Sequence, residues 1–294
     1  MRHGRWRFLL GALVPALVLH VVFVLSPYAQ AFYLSLTDWS GVAGEAHYVG
    51  AGNYARLGGD SLFLDAVRNN AVMLLVVPLV TIALGLGLAS LLRSRRGASS
   101  YQIVYFFPQL LSLVVIGVLW GFVYNPNTGL LNSGLRAVGL GSLARSWLAE
   151  PGFALPAVMA VLIWSSVGFY VVLFAAAIEA IPRDLYEAAQ LDGAGGWTTF
   201  WRLTVPLVRE TVQVAFVYLG IAALDGFAVV QVMTVGPGGP DGATEVIGLS
   251  LYRSAFTYGK FGYASAMGVA LFFATLTLAI LALRAGRSER LELA

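Results

Sequence analysis

The chain has 294 residues, of which 59% are hydrophobic and only 11% charged. A soluble domain has about 45–50% apolar and about 25% charged residues, so the excess requires a lipid environment. A net charge of +3 with scattered basic residues does not make a nucleic-acid surface, and the absence of cysteine excludes disulfides, thiolate metal sites and cysteine nucleophiles.

Six apolar runs are long enough to cross a bilayer, which takes about 20 helical residues. They are Phe8–Tyr33, Ala71–Leu92, Ile103–Tyr124, Ala154–Ala177, Val212–Val235 and Tyr263–Leu283. Each run is continuously apolar, whereas barrel strands alternate in polarity. The expected fold is therefore all-α, a polytopic membrane protein forming one domain over residues 1–294. The first run follows Arg2, Arg5 and Arg7, and Ala29-Gln30-Ala31 has the form of a cleavage site. The run exceeds the 7–15 residues of a signal h-region, which favours an uncleaved first span.

Between the runs, residues 34–70 carry Trp39, Tyr48 and Tyr54 among glycine and polar residues, suited to short interfacial helices. Asn125-Pro126-Asn127-Thr128-Gly129 is a turn signal. Gly236-Pro237-Gly238-Gly239-Pro240 is a reversal that no helix continues through.

Arginine and lysine set the orientation. One side carries Arg2, Arg5, Arg7, Arg93, Arg95, Arg96, Arg183, Arg202, Arg209, Arg284, Arg287 and Arg290; the other carries Arg56, Arg68, Arg136, Arg145, Arg253 and Lys260. The richer side holds both termini and residues 178–211, and the positive-inside rule places it in the cytoplasm.

That cytoplasmic segment, about residues 179–210, is the polar interruption between the fourth and fifth runs. Pro182 ends the fourth helix. Residues 183–191 are good helix formers with Asp184 in the first turn, where the dipole favours negative charge. Gly193, Gly195 and Gly196 permit a sharp turn; a second short helix over Thr198–Leu203 precedes Pro206, which is expected to open the fifth span. Ala188, Ala189, Gly193 and Ala194 allow close approach of a partner, Glu187 and Asp192 offer charge, and Phe200 with Trp201 offers an apolar wedge. Composition alone is equally compatible with an interfacial linker anchored by aromatics.

The order of residues here, Glu187-Ala188-Ala189, then Asp192-Gly193-Ala194, Phe200 and Leu203-Thr204-Val205-Pro206, resembles the coupling loop of binding-protein-dependent ABC importers. The ending departs conservatively from the family's apolar-x-Leu-Pro, and Glu210 stands where many relatives have another proline. Tyr48-Val49-Gly50-Ala51-Gly52-Asn53-Tyr54, Phe106-Phe107-Pro108, Gly129-Leu130-Leu131-Asn132, Trp147-Leu148 and Ile181-Pro182 with Tyr186 are also similar. Met233-Thr234 with Gly238-Gly239-Pro240, Thr244 and Tyr252–Phe256 resembles the maltose-type first permease subunit. The resemblance runs from about residue 8 to 285. It implies that the segment docks on a nucleotide-binding subunit with Glu187 facing it. It further implies a second permease subunit in a heterodimer, two ATP-binding subunits and an extracytoplasmic solute-binding protein.

For a substrate pathway, Asp225 is the one formal charge expected well inside a span, bordered by Gly220 and Gly226. Such a residue faces a cavity or pairs locally at an unwound turn; both readings stand. Trp164-Ser165-Ser166-Val167-Gly168-Phe169-Tyr170 offers aromatic faces for sugar rings and hydroxyls for hydrogen bonds, although serine and glycine also serve close helix packing. The resemblance implies that sugar contacts come from these two stretches, and so nominates Trp164, Ser165, Ser166, Phe169, Tyr170 and Asp225.

No Gly-x-x-x-x-Gly-Lys-Ser/Thr occurs, so ATP hydrolysis is expected in a separate subunit. His3, His20 and His47 are too dispersed for a metal triad, and no cofactor is expected. The resulting expectation is a non-catalytic permease subunit for a sugar or related polyhydroxylated solute. Polyols and glycerol phosphate remain alternatives, as does an ion-coupled transporter using Asp225; the inverted repeats typical of the latter class are not found.

Overall fold

The computed structural model describes residues 11, 13–41, 44–93, 98–234 and 238–287. Its main helices, in chain order, are α1 (Leu13–Leu34), α2 (Gly52–Gly59), α3 (Ser61–Leu92), α4 (Tyr101–Leu110), α5 (Leu113–Val123), α6 (Leu130–Ala137) and α7 (Pro151–Glu179). They continue with α8 (Arg183–Leu191), α9 (Gly196–Leu207), α10 (Arg209–Leu224), α11 (Phe227–Met233), α12 (Ile247–Tyr252) and α13 (Phe261–Arg287). No strand occurs among the described residues, so the fold is all-α. The described helices α1, α3, α7 and α13 are each long and apolar enough to cross a membrane; counting each bent pair, α4 with α5 and α9 with α10, as one span makes six.

Two of the expected spans are not continuous helices. The third, expected over Ile103–Tyr124, bends by 102° between α4 and α5. Pro108 lies in a 3-10 turn, Leu111 is extended, and Ser112 caps α5 by accepting from the Val114 N–H (3.4 Å). A proline followed by a capping serine is a stop-and-restart signal that the surrounding apolar residues mask. The fifth, expected over Val212–Val235, breaks at Asp225-Gly226 between α10 and α11; Val235 lies outside the described residues. At the other end of the chain, Phe8–Leu10 of the first expected span also lie outside them.

The chain divides into two compact units, Met1–Ser61 with Ser250–Phe273, and Leu62–Leu249 with Ala274–Ala294. In the first, Asn53 and Tyr54 fasten the end of α1. The Asn53 Nδ2 donates to the carbonyls of Ser35 (2.9 Å) and Thr37 (2.7 Å), and the Tyr54 hydroxyl hydrogen-bonds the Ser35 Oγ (2.7 Å). Phe32 meets Phe272 and Phe273 edge-on, and the Tyr263 hydroxyl donates to the Asp60 carboxylate at 2.6 Å.

The second unit holds two apolar clusters. One joins α3, α5, α7 and α11 through Met73, Ile116, Val158, Leu162, Val229 and Met233. The other joins α3, α7 and α10 to the 179–210 segment through Leu86, Phe174, Ile178, Ile181, Tyr186, Val208 and Leu219. In lipid the hydrophobic effect does not drive helices together, so van der Waals fit and hydrogen bonds must do it.

Asn70 supplies the hydrogen bonds at the α10–α11 break. It is buried on α3; its Nδ2 donates to the Leu224 carbonyl (3.3 Å) and its Oδ1 accepts from the Ile247 N–H (2.8 Å). The neighbouring Asn69 Nδ2 donates to the Glu245 carbonyl at 2.9 Å. One asparagine thus satisfies a carbonyl released by the break and an amide at the start of α12. Asn70→Leu strands both groups at a cost of about 2–6 kcal/mol, one to three for each buried group. The expected result is a large fall in the thermal unfolding temperature of purified protein; unchanged melting would contradict this account.

Candidate coupling loop and substrate-facing residues

The 179–210 segment is a folded element with a buried root. After α7 ends at Glu179, Pro182 takes the N-cap position of α8 and Asp184 lies in the first turn. The C-terminus of α8 closes in a Schellman arrangement: the Ala194 N–H donates to the Ala189 carbonyl (2.9 Å) and the Gly193 N–H to the Gln190 carbonyl (3.0 Å). Gly193 has φ 76°, a conformation costing other residues about 1–2 kcal/mol. The glycine turn read from sequence is therefore formed at Gly193, and Gly195 caps α9.

Pro206 does not open the fifth span. It is exposed in the last turn of α9, and the chain bends by 71° before α10 begins at Arg209. Upstream of it, Phe200–Thr204 widens into a π-turn. Proline offers no N–H to the preceding turn, which accounts for the altered hydrogen bonding there.

One face of the segment is anchored. Tyr186 is buried, its hydroxyl hydrogen-bonds the Thr204 Oγ1 (3.1 Å), and the Arg93 guanidinium lies over its ring, 3.4 Å from the centroid. Ile181 and Val208 complete the root. Phe200 packs half-buried against this same cluster.

The other face is open. Glu187, Ala188, Asp192 and Gly193 are exposed, Ala189 and Ala194 half-buried. Glu187 and Asp192 form no side-chain hydrogen bond or ion pair with a described residue. Leu191 is 90% exposed, and Trp197 and Trp201 are also largely exposed. Sequence reading does not nominate Leu191 or Trp197. Their only signal is an apolar side chain at a helix position whose neighbours are polar.

The residues nominated for a substrate divide by environment. Ser165 is buried and its Oγ donates to the Leu162 carbonyl (2.9 Å), while Tyr170 is buried in the cluster with Phe174. Both face the core. Ser166 lines a cleft of about 170 Å³ with Gln109, Leu113 and Gly226, where the α4–α5 and α10–α11 breaks meet α7. Trp164 and Phe169 are partly exposed, Trp164 standing edge-on to Trp120 at 5.4 Å. Asp225 caps the C-terminus of α10 at the break and is exposed on this chain, with no side-chain partner among the described residues. Sequence reading does not nominate Gln109, which follows the Phe106-Phe107-Pro108 motif inside an apolar run, or Asn70, which stands just before the second run.

Glu245 is a residue that sequence reading does not nominate. It is fully buried, and a Cβ placed on Gly238 would run into its carboxylate. Asn132, within the quoted Gly129–Asn132 motif, donates to the Pro126 and Arg145 carbonyls (3.0 and 2.9 Å) and accepts from the Trp147 indole N–H (2.8 Å). Two separated sequence motifs therefore meet in one hydrogen-bonded loop.

Comparison with known proteins places these features. The diacetylchitobiose uptake system permease protein NgcF of Streptomyces coelicolor is 45% identical over 288 residues, covering 94% of this chain and 81% of that protein. The probable ABC transporter permease protein YurN of Bacillus subtilis is 38% identical, covering 92% and 93%. A bacterial alginate ABC transporter, solved in complex with an alginate pentasaccharide-bound periplasmic protein, contains a chain with the same fold. Its TM-score is 0.81 at 23% identity, covering 95% of this chain and 93% of that one. The family model matches residues 81–288, and the chain belongs to the binding-protein-dependent transport system inner membrane component family.

Proposed function

We propose that this protein is a non-catalytic permease subunit of an ATP-driven importer for a sugar or related polyhydroxylated solute. The carrying observation is the 179–210 segment: two short helices rooted in the bundle core, presenting an open face of Glu187, Ala188, Leu191, Asp192 and Trp197. Such an element is built to receive force from another protein. In this reading residues 1–294 form one membrane domain with both termini in the cytoplasm, as the arginine distribution favours. Glu187, Ala188, Ala189, Asp192, Gly193 and Ala194 meet an ATP-binding subunit, with Phe200 and Pro206 shaping the element behind them.

ATP is hydrolysed by two separate subunits, whose closure moves this chain through α8. A second permease completes the pathway, and an extracytoplasmic solute-binding protein delivers the cargo. A sugar is favoured by the 45% identity to a permease named for diacetylchitobiose uptake. The partly exposed rings of Trp164 and Phe169, the cleft at Ser166 and the open Asp225 supply stacking faces and hydrogen-bonding groups. Ser165 borders the same cleft, and Tyr170 supports that wall from behind.

The test is affinity purification from native membranes followed by an ATPase assay. Co-purification of a nucleotide-binding subunit, with hydrolysis stimulated by a sugar-loaded binding protein, is the expected result. Recovery of active transport without any such subunit would remove the reading.

A further inference from the structure

A second cleft, of about 540 Å³, lies between the end of α3 and the inner sides of α8 and α9. Its walls include Ser90, Arg93, Arg183, Gln190, Thr199 and the Gly196 backbone at the start of α9. No carboxylate of a described residue lines it. The volume falls within the roughly 300–1,000 Å³ of ligand-binding pockets.

Neither Arg93 nor Arg183 forms an ion pair with a described residue. Glu179 lines the adjoining 290 Å³ cleft with both arginines, yet no oxygen of it comes within 4 Å of either. Arg93 is held by its position over the Tyr186 ring. Stacking occupies the face of a guanidinium and leaves its N–H groups, which lie in the plane, for an acceptor.

The depth of the cleft identifies the acceptor. Ser90 and Arg93 stand at the very end of α3, a 32-residue apolar helix, which puts them at the level of lipid headgroups. Trp197 and Trp201, both largely exposed on α9 beside the cleft, are the aromatic residues enriched at that level. A protein partner rich in carboxylates would meet the exposed Glu187 and Asp192 on the same short helix. A lipid phosphate arriving from the bilayer side meets the arginines and hydroxyls first.

We propose that this cleft binds the phosphate group of an anionic phospholipid, with Arg93 and Arg183 as its cationic ligands and Ser90 and Thr199 as hydroxyl donors. Bound there, the lipid bridges the end of α3 to both helices of the 179–210 element. The lipid thereby stiffens the linkage through which the proposed function operates. The site itself rests only on the membrane placement of α3 and is tested by a readout independent of transport.

The intact complex is reconstituted in nanodiscs of phosphatidylcholine with or without phosphatidylglycerol, and retained lipids are counted by native mass spectrometry. Wild type is expected to keep phosphatidylglycerol in preference to phosphatidylcholine. Arg183→Gln leaves the Arg93–Tyr186 stack intact, and should weaken retention about tenfold, the loss of one charge-assisted hydrogen bond. Arg183→Lys should recover part of it. Equal retention of the two lipids, or undiminished phosphatidylglycerol in both Arg183→Gln and Arg93→Gln, overturns the proposal. Displacement of the lipid by inorganic phosphate assigns the site to a soluble anion instead, and photocross-linking from Gln190 to a partner protein assigns it to that protein. Absence of sugar transport by the wild-type complex, with its preference for phosphatidylglycerol intact, would sink the proposed function while leaving the lipid site standing.

Discussion

Glu187→Lys is expected to reduce transport by about a hundredfold or more while the protein remains inserted and assembled in the membrane. The side chain is exposed on α8 and has no partner among the described residues, so its reversal disturbs none of their contacts. Against a docked subunit the same reversal replaces attraction by repulsion. Like charges brought together at an interface cost several kcal/mol, and each 1.4 kcal/mol is a factor of ten. Substrate uptake in cells, with membrane abundance measured in parallel, separates the two effects. Glu187→Gln removes the charge without reversing it, and should retain intermediate uptake. Wild-type uptake by the lysine variant would show that Glu187 plays no part in coupling.

Gly168→Ala is expected to cause the largest loss of stability from a single added methyl group. Gly168 lies on α7 where α4 crosses it, and a Cβ there would overlap the Tyr105 carbonyl and crowd the Phe106 amide nitrogen at 2.8 Å. Backbone cannot rotate aside as a side chain does, so the helices must separate. Overpacking costs about 1–3 kcal/mol where side chains adjust; here the upper end or more is expected. The measurement is thermal unfolding of purified protein. Gly87→Ala on α3, with nothing within 4 Å of the added carbon, is the control and should melt like wild type. Equal melting of both variants would mean that α4 and α7 do not approach as closely as described.

These two positions mark how differently the sequence speaks about function and packing. Glu187 is legible because its neighbours in space are also its neighbours in sequence: a short helix, its proline start and its glycine end all lie within about twenty residues. Gly168 is legible only as a small residue in an apolar run. Sequence reading could assign it to close packing or to a substrate wall, and the crossing of α4 decides for packing. Ser165 and Ser166 could likewise be packing or wall residues; both line the one cleft, with Ser165 buried and its hydroxyl spent on the Leu162 carbonyl. The broken third span illustrates a harder case. Pro108 and Ser112 are visible, yet continuous hydrophobicity outweighs them until the α4–α5 bend of 102° is seen.

By itself the sequence determined the membrane class, the all-helical architecture, the family and the presence of a polar element between the fourth and fifth runs. Those conclusions rest on local properties, the length of apolar runs, the chemistry of turns and a contiguous motif, which need no knowledge of distant contacts. The tertiary structure alone decided which side chains are open and which are spent on the fold. It assigned Tyr186 and Phe200 to the root of the 179–210 segment and left Glu187, Leu191 and Trp197 outside. It used Asn70 to hold the break next to Asp225, and it brought Arg93 and Arg183 to one cleft from positions 90 residues apart. Burial and pairing are properties of neighbours in space, and in a helix bundle those neighbours come from different helices.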